Sequence, residues 1–543
     1  MEPLENSPKV PPRSIPRWRL VIDQSLITQE IRDWHYEGSG TPADPFVVDW
    51  IENDPRNPMS LPLMQRWILV IILSISTMAV SLVSSGYVGA LPQIKEAFDV
   101  SDIMAILGVS LYVLGFALGP ILWAPFSEVY GRQLIFLVTY GAMTLFNVGA
   151  IFSPNIQSML IMRFFAGTFG AAPDQHRRGH CRHFPRRATR HGHQPVRHRP
   201  VPRPRARPHR GRIPCQAGGW KWVLILMAVF CAVCWVMCAA LVPETFAPLL
   251  LRKRAERLSK ETGKQYVCHF DISKGRPSFM DDLKVSLVRP WLLLFHEPIV
   301  LALTIYMSIV YGTLYLLFAA YPFVYQHGRG WSQGMNGLAF LGLMVGLILG
   351  VVYNMIDNSR YTRLLAETGR PPPEARLLPM MVGSIVLPVG LFWFAWTNSP
   401  SIHWMSSIAA STFFGFAFAL VFVSAKNYLV DSYTLFSASA LASTVIIRSL
   451  FAMAFPLFTP YMYRNLGIHW ASSIPAFLSL ACVPFPFVFH KFGPTIRKKC
   501  KYSREAQLFL ERNGKAEHSE EEPTSSEVDT TQMPQKGSVE AKL

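Results

Sequence analysis

The chain has 543 residues, of which 50% are hydrophobic, and it contains 36 Phe. This composition indicates a membrane protein with several spans and excludes both an ordinary soluble domain and a disordered chain. The formal net charge is +17, but 13 Arg and Asp174 lie within residues 174–214, and without them the chain carries only +5. The charge therefore predicts no nucleic-acid partner for the protein as a whole.

Residues 1–66 are rich in Pro, mixed in charge and without a helical apolar stripe, so we expect a mostly disordered tail. No cleavable signal is visible before the first apolar run, which places this tail in the cytoplasm of the mature protein. It ends in a cluster of turn-forming residues, DPRNP at 54–58, shortly after Asp49 and Trp50.

Eleven runs are apolar and long enough to cross a hydrocarbon core of about 30 Å. They lie near residues 67–87, 103–126, 134–154, 156–173, 222–243, 298–324, 335–354, 377–397, 404–425, 437–463 and 470–490. The basic loops 246–290 and 355–376 and the tail after 490 fall on the same side as the N-terminus only if the chain crosses twelve times. The positive-inside rule thus predicts one more crossing, before residue 246.

The fold class we predict is all-α, a polytopic membrane protein; its division into two six-helix halves is what the family resemblance described below implies. Its segments are a tail at 1–66, an N-terminal half at 67–243, a cytoplasmic linker at 244–297, a C-terminal half at 298–490 and a cytoplasmic tail at 491–543.

The missing fifth span should lie within residues 174–217, where the chain is instead dense in Arg, His and Pro. Each Arg at mid-membrane costs about 2.5–3.5 kcal/mol, so this segment cannot span as written. Three interpretations compete: an arm that binds RNA or acidic lipid, a metal-binding His cluster, or translation in a shifted frame. We favour the third, because permitted codons for residues 191–214, read one base later, spell an apolar run with the pattern G-P-x-x-G-P-x-x-G-G.

Residues 115–133, GFALGPILWAPFSEVYGRQ, join the second apolar run to the third. Gly115 and Gly119 share one helix face and allow a close helix approach. Glu128 and Arg132 enter a short turn at the membrane surface, where carboxylate and guanidinium can pair. The stretch resembles the signature loop G-x-x-x-D-R/K-x-G-R-R/K of the major facilitator superfamily, and its P-x-S-E-x-x-G-R form resembles the fungal drug:proton antiporters of the twelve-span type. Four positions depart from the general pattern: Pro125, Glu128, Val129 and Gln133.

Other segments carry the same resemblance. They are the DPRNP cluster at 54–58, GWKWV at 219–223, P-E-T at 243–245, PEARL at 373–377 and NYLVDSY at 427–433. The likeness covers about 49–173 and 218–500.

Arg163 lies inside the fourth apolar run, and with Gly167 it matches the family motif R-x-x-x-G. A buried guanidinium in a membrane is expensive and usually functional. The resemblance implies a role in proton coupling or in holding a central cavity, while the alternative is an Arg that supports packing or reaches the headgroups.

Further candidates were selected on the same grounds. Candidates for proton coupling or gating are Glu128, Arg132, Arg163, Glu297, Asp431 and Arg448, and candidates for the cavity wall are Tyr311, Tyr315 and Asn427. Glu297 precedes Pro298 at a helix start, where the dipole favours a carboxylate, so a structural role competes there. Asp431 and Arg448 together suggest a gate that links the halves, with a turn and a surface-seeking Arg as the alternative.

The resemblance implies a secondary transporter, not an enzyme, that uses a proton gradient to export amphiphilic small molecules by alternating access. A polyamine exporter of the same family and a non-transporting protein that lacks span five are the alternatives, and sugar uptake is disfavoured by P-E-T and NYLVDSY. We expect no cofactor, no metal, no nucleic acid, a monomer, and a multi-pass location in the plasma membrane or the vacuolar membrane, with both termini cytoplasmic. The partners are the substrate and the bilayer.

Overall fold

The computed structural model describes residues 17–51, 54, 56–58, 60, 62–171, 214–274, 279–368 and 371–508. Most of the interval 174–217, which the sequence predicts to be frame-shifted, lies outside these residues. So do residues 1–16 and 509–543. The prediction of a lost fifth span therefore stays a prediction.

Helices form nearly all of the described chain, as the sequence predicts. The N-terminal half contains α3 (Leu63–Gly86), α4 (Leu91–Phe98), α5 (Asp102–Val129), α6 (Arg132–Ile151), α7 (Ile156–Gly170) and α8 (Pro214–Leu241). The C-terminal half contains α12 (Pro298–Tyr321), α13 (Gln333–Thr368), α14 (Leu378–Thr397), α15 (Trp404–Ser432), α16 (Ser437–Cys482) and α17 (Pro484–Lys499). Nine of the eleven predicted apolar runs each overlap one of these helices, whereas α16 contains the run 437–463 and most of the run 470–490, which continues into α17.

Among the described residues, nine helical stretches are long and apolar enough to cross a membrane. The last, Ser437–Lys499, has 63 residues and contains two of the predicted runs. It changes direction at Gly467, where φ is +73°. Helix α7 has 15 residues and is not among these nine stretches. The all-α, polytopic prediction is confirmed.

Local sequence explains where several helices begin. The Ser101 side chain accepts a hydrogen bond from the Met104 amide and starts α5, and Asn155 does the same for α7 through the Ser158 amide. Short polar side chains at this position satisfy amides that have no partner inside the helix.

Small residues set how closely the helices pack. A Cβ on Gly115 would lie 2.4 Å from the Thr168 amide, so α5 and α7 are in backbone contact there. A Cβ on Gly346 would lie 2.0 Å from the Thr412 carbonyl, which gives the same relation between α13 and α15. The spacing of Gly115 and Gly119 in the sequence predicts this close packing in the N-terminal half.

The segment before α3 and the linker fold together into one unit, which we call the linker module (residues 17–58 and 247–274). It contains α1 (Arg17–Ile22), α2 (Gln29–Arg32), β1 (Phe46–Val48), α9 (Ala247–Thr262), β2 (Tyr266–Cys268) and α10 (His269–Lys274). Strands β1 and β2 pair in parallel, with Phe46 opposite Tyr266 and Val48 opposite Cys268.

A small apolar core holds the linker module together. Its buried members are Ile31, Tyr36, Val48, Leu251, Ala255, Leu258 and Cys268. The structure thus corrects the expectation of a mostly disordered tail at 1–66, as far as residues 17–51 are concerned. The few apolar residues of this segment cannot form a core alone, but α9 and β2 supply the other side of one.

The linker module, α11 (Phe279–His296) and the ends of α5, α15 and α17 share one face of the helical bundle, which we call the linker face. The opposite face holds the start of α5 and residues 464–468. Helices α5 and α16 pack along each other, and they join the two halves. The candidate residues lie either beside this junction or on the linker face.

Candidate functional site between the two helical halves

Arg163 is fully buried on α7, where backbone carbonyls and aromatic rings hold its guanidinium. Nη1 donates to the Val83 carbonyl at 3.0 Å, and Nε donates to the Gly108 carbonyl at 3.3 Å. The Tyr87 and Tyr112 rings each lie 4.5 Å from its Cζ. The Nη2 atom has no hydrogen-bond partner among the described residues. The alternative of a side chain that reaches the membrane surface does not fit this position.

The helix that carries Arg163 is placed by the glycine one turn later. A Cβ on Gly167 would lie 2.0 Å from the Tyr112 carbonyl, so α7 touches the backbone of α5. Side chains four apart share a helix face, and this contact therefore brings Arg163 beside Tyr112. The motif R-x-x-x-G thus supplies the charged side chain, Arg163, and also the small residue, Gly167, that allows α7 to approach α5 closely.

Tyr315 connects this arginine to the C-terminal half. Its hydroxyl and that of Ser84 are hydrogen-bonded across the two halves at 3.0 Å. Tyr315 is close enough to Arg163 for an electrostatic interaction, and its ring packs edge-on against Tyr311 with centroids 5.2 Å apart. The two tyrosines selected from the sequence therefore lie at the junction, although Tyr315 is itself buried in packing.

Arg448, the twelfth residue of α16, extends the cluster on the C-terminal side. Its Cζ lies 5.0 Å from the Tyr311 ring centroid and 5.7 Å from that of Phe422. Its Nε is buried and has no hydrogen-bond partner among the described residues. We call Arg163, Arg448, Tyr112, Tyr311, Tyr315, Phe418 and Phe422 the central cluster.

The structure separates Asp431 from Arg448, which the sequence suggested as one gate. Asp431 lies near the end of α15 on the linker face and accepts hydrogen bonds from the Tyr361 hydroxyl at 3.1 Å and from Arg376 Nε at 3.2 Å. Both partners belong to the C-terminal half. Asn427 is exposed on the same helix, whereas the other two cavity candidates are packed in the central cluster.

Glu297 is fully buried at the start of α12. Its carboxylate accepts from the Tyr433 hydroxyl and from the Tyr502 amide, both at 2.9 Å. It thereby ties three segments of the C-terminal half together on the linker face. This geometry favours the structural role that the sequence left open.

At the signature turn, Glu128 is exposed on the last turn of α5, and Arg132 lies over the Phe246 ring at 5.0 Å. The buried carboxylate beside this turn is Glu244, which accepts from the amides of Gln133, Thr245 and Phe246 at 2.8–2.9 Å. Glu244 thus stabilises the start of α6, where amides lack helical partners. Sequence reasoning recognised P-E-T as a family motif but missed this contact.

A second buried group on the linker face was also missed. Arg254 of α9 donates to both oxygens of Asp54, at 2.5 and 3.3 Å, and both side chains are at most 1% exposed. Arg56 beside them donates to the Glu244 carbonyl at 3.3 Å, and burial lowers the pKa of its guanidinium to about 10. The DPRNP cluster was the sequence feature that could have indicated this buried group, since it contains two of its charged residues, Asp54 and Arg56.

On the opposite face, one ion pair joins the halves. Arg464 at the end of the first part of α16 pairs with Asp102 at the start of α5, at 2.5 Å, and Lys95 pairs with the same carboxylate at 2.7 Å. These side chains are a third or more exposed, so the pairs are worth about 0–1 kcal/mol each.

The sequence model of the Major Facilitator Superfamily matches residues 73–174 and 211–446. The chain is 50% identical over 522 residues to the major facilitator superfamily multidrug transporter mdrA of Aspergillus fumigatus, covering 95% of this chain and 86% of that one. It is 49% identical to the MFS-type efflux pump MFS2 of Trichophyton rubrum, covering 98% and 90%.

Similar folds occur among solved structures. The partially occluded, inward-open xylose transporter XylE of E. coli covers 79% of this chain and 98% of its own, with a TM-score of 0.51 and 12% identity. At this identity the likeness concerns the fold alone.

Proposed function

Because the chain belongs to the major facilitator superfamily, we propose that it is a proton-coupled exporter of amphiphilic small molecules, working by alternating access between its two helical halves. The names of the two relatives, a multidrug transporter and an efflux pump, support export as the direction. The observation that carries the proposal is the central cluster, because it places buried charge and aromatic surface at the junction that must move. Sites of this class of transporter lie near the midplane between the halves.

The contacts between the halves suggest which ones change during the cycle. Opening the opposite face has to separate Asp102 from Arg464, and this weak pair offers little resistance. The Ser84–Tyr315 hydrogen bond lies deeper and joins the same two halves, so it has to break or shift when substrate enters. The linker module lies on the other face, where Gln24 and the Val21 carbonyl are hydrogen-bonded to the Gln133 side chain and so restrain the start of α6.

For proton coupling we propose a role for Arg163, whose buried charge responds to any nearby change in protonation. The carboxylates Glu128, Glu297 and Asp431 all lie on the linker face. Of these, Glu128 is exposed, Asp431 is half-buried and Glu297 is fully buried. On the ground of this exposure we propose that Glu128 exchanges protons with water, with Arg132 beside it at the same turn.

Residues 174–217 bear on whether this chain transports at all, and we propose that they are a frame-shifted fifth span. The β1–β2 pairing and the Asp54–Arg254 pair bring residues from before and after the N-terminal half to one side of the membrane. This needs an even number of crossings between them, and the apolar runs of that half, at 67–87, 103–126, 134–154, 156–173 and 222–243, number five, which is odd. The family match is also interrupted between 174 and 211. Sequencing the transcript across codons 170–222 tests this: an uninterrupted frame that encodes the Arg-rich segment contradicts it.

We place the protein in the plasma membrane, with the vacuolar membrane as the alternative, and both termini in the cytoplasm. The basic character of loops 246–290 and 355–376 supports this orientation. Epitope tags at each terminus, tested in intact and in permeabilised cells, check it; accessibility without permeabilisation contradicts it.

Export is tested with the full chain in inside-out vesicles that carry an imposed proton gradient. We expect uptake of a fluorescent amphiphile into the vesicles that stops when an uncoupler is added. Gradient-independent flux contradicts proton coupling, and no flux from a frame-corrected chain contradicts export. A chain that fails to transport as written but succeeds when corrected supports the non-transporting alternative for this exact sequence.

A further inference from the structure

Inside the membrane spans that the structure describes, the charged residues all have one sign. Within the apolar runs of the described residues, the charged side chains are Arg163 and Arg448. Every Asp or Glu of the spanning helices lies at or beyond the end of its run. Two guanidinium groups thus stand in the described interior without a carboxylate beside them, an arrangement that is expensive in a medium of low dielectric.

The two arginines differ in how their charge is satisfied. Arg163 donates to two backbone carbonyls and lies between two tyrosine rings. Arg448 lies over the rings of Tyr311 and Phe422, and its buried Nε lacks a hydrogen-bond partner among the described residues. A buried donor left unsatisfied costs about 1–3 kcal/mol, so this guanidinium has capacity for an anionic acceptor.

A pair of stacked aromatic rings adjoins that guanidinium. The Phe418 and Phe422 rings are stacked at 4.4 Å with an interplanar angle of 13°, and Tyr311 lies 5.8 Å from Phe422 and 6.5 Å from Phe418. Aromatic faces of this kind suit a planar apolar body. Arg448 lies on α16, and Phe418 and Phe422 lie on α15, next to the junction between the halves.

We propose that the central cluster selects amphiphilic organic anions: the acidic group pairs with Arg448, and the flat body of the molecule packs against Phe418 and Phe422. This rests on the proposed export function and deepens it by naming the substrate class. A carboxylate or sulfonate matches the planar donor fork of arginine in two-point geometry. A polycation would meet two like charges instead, and the polyamine alternative is disfavoured for that reason.

The test uses three probes with one aromatic body: naphthalene-2-sulfonate, naphthalene-2-sulfonamide and 2-naphthyltrimethylammonium. Their charges are negative, neutral and positive at neutral pH, so protonation does not confuse the comparison. Binding of labelled sulfonate to the purified full chain is measured at equilibrium, with the other two as competitors. We expect the sulfonate to bind at least 10-fold more tightly than either analogue. Equal competition by the three probes overturns the proposal, and so does the absence of measurable sulfonate binding.

Variants assign the selectivity to one residue. We expect Arg448→Gln to weaken sulfonate binding by about 10- to 100-fold, the range for a charge-assisted hydrogen bond, while sulfonamide binding changes less than 3-fold. Arg448→Lys should recover part of the loss. Arg363→Gln removes the same charge from an exposed position on α13 and should change neither. Equal losses for both probes in Arg448→Gln indicate misfolding or a packing role and contradict selection by charge.

Flux measurements separate this inference from the proposed function. Sulfonate that binds selectively to the chain but is never moved across vesicles contradicts export and leaves the anion site standing. Export of all three probes at equal rates contradicts the anion site and leaves export standing.

Discussion

The Arg254 guanidinium donates hydrogen bonds to both carboxylate oxygens of Asp54, which lies 200 residues earlier in the chain. The pair is almost completely buried. It fastens the linker to the segment that precedes the first spanning helix. Arg254 also lies over the Trp50 ring, 5.2 Å from its centroid, so the segment around DPRNP is held by charge and by an aromatic face together.

We predict that Asp54→Asn destabilises the linker module by about 3–5 kcal/mol, because the change leaves Arg254 buried without a counter-charge. Hydrogen exchange of residues 17–51 and 247–268 measures this as lost protection. Arg32→Gln is the control, since its pair with Glu261 is exposed and worth about 0–1 kcal/mol. If Asp54→Asn shows the same hydrogen-exchange protection as the parent protein, the Asp54–Arg254 pair does not stabilise the linker module.

Replacing Arg163 with Ala should abolish transport in a frame-corrected protein while leaving expression near normal. The guanidinium links α7 to the carbonyls of Val83 and Gly108, and Ala cannot make these bonds. Arg163→Lys keeps a charge without the fork and should restore little. Flux per folded molecule, set against the amount of monodisperse protein, is the measurement. A parallel loss of folded protein favours a purely structural role.

Glu128→Gln should slow the conformational cycle without removing the substrate site, because Glu128 is exposed on the linker face, far along α5 from the central cluster. The expected signature is a lower maximal rate with little change in KM. Rates measured over a range of substrate concentrations test it, and unchanged flux at all of them rejects a role in the cycle.

Gly346→Ala should lower the melting temperature of the C-terminal half, whereas Gly337→Ala on the same helix should not. The added Cβ would lie 2.0 Å from the Thr412 carbonyl at Gly346 but meets nothing within 4 Å at Gly337. Overpacking of this kind costs about 1–3 kcal/mol. Thermal unfolding followed by tryptophan fluorescence compares the two variants, and equal melting temperatures contradict the close contact of α13 with α15.

The sequence predicted the spans and the position of Arg163 inside the fourth apolar run, because both depend on local information. Apolar runs show their length directly, and a lone charge inside such a run is conspicuous. The partners of Arg163 were out of reach, since the Val83 and Gly108 carbonyls are backbone groups that carry no residue signal. Asp54 looked like one member of a turn cluster because Arg254, its partner, lies on a helix that only the folded chain brings near. For Asn427, the motif gave the right helix but not the direction of the side chain.

The parallel pairing of β1 with β2 has a consequence for biosynthesis. Residue 266 leaves the ribosome about 220 residues after residue 46, which at roughly 5–20 residues per second is a delay of about 11–44 s. During that interval β1 exposes unpaired backbone groups while the first half of the bundle is being inserted. Completion of the two-stranded ladder therefore reports that the N-terminal half has been inserted and that its two ends have reached the same side. A nascent chain whose ends are on opposite sides keeps an unpaired apolar strand, which is the kind of segment that quality-control chaperones bind.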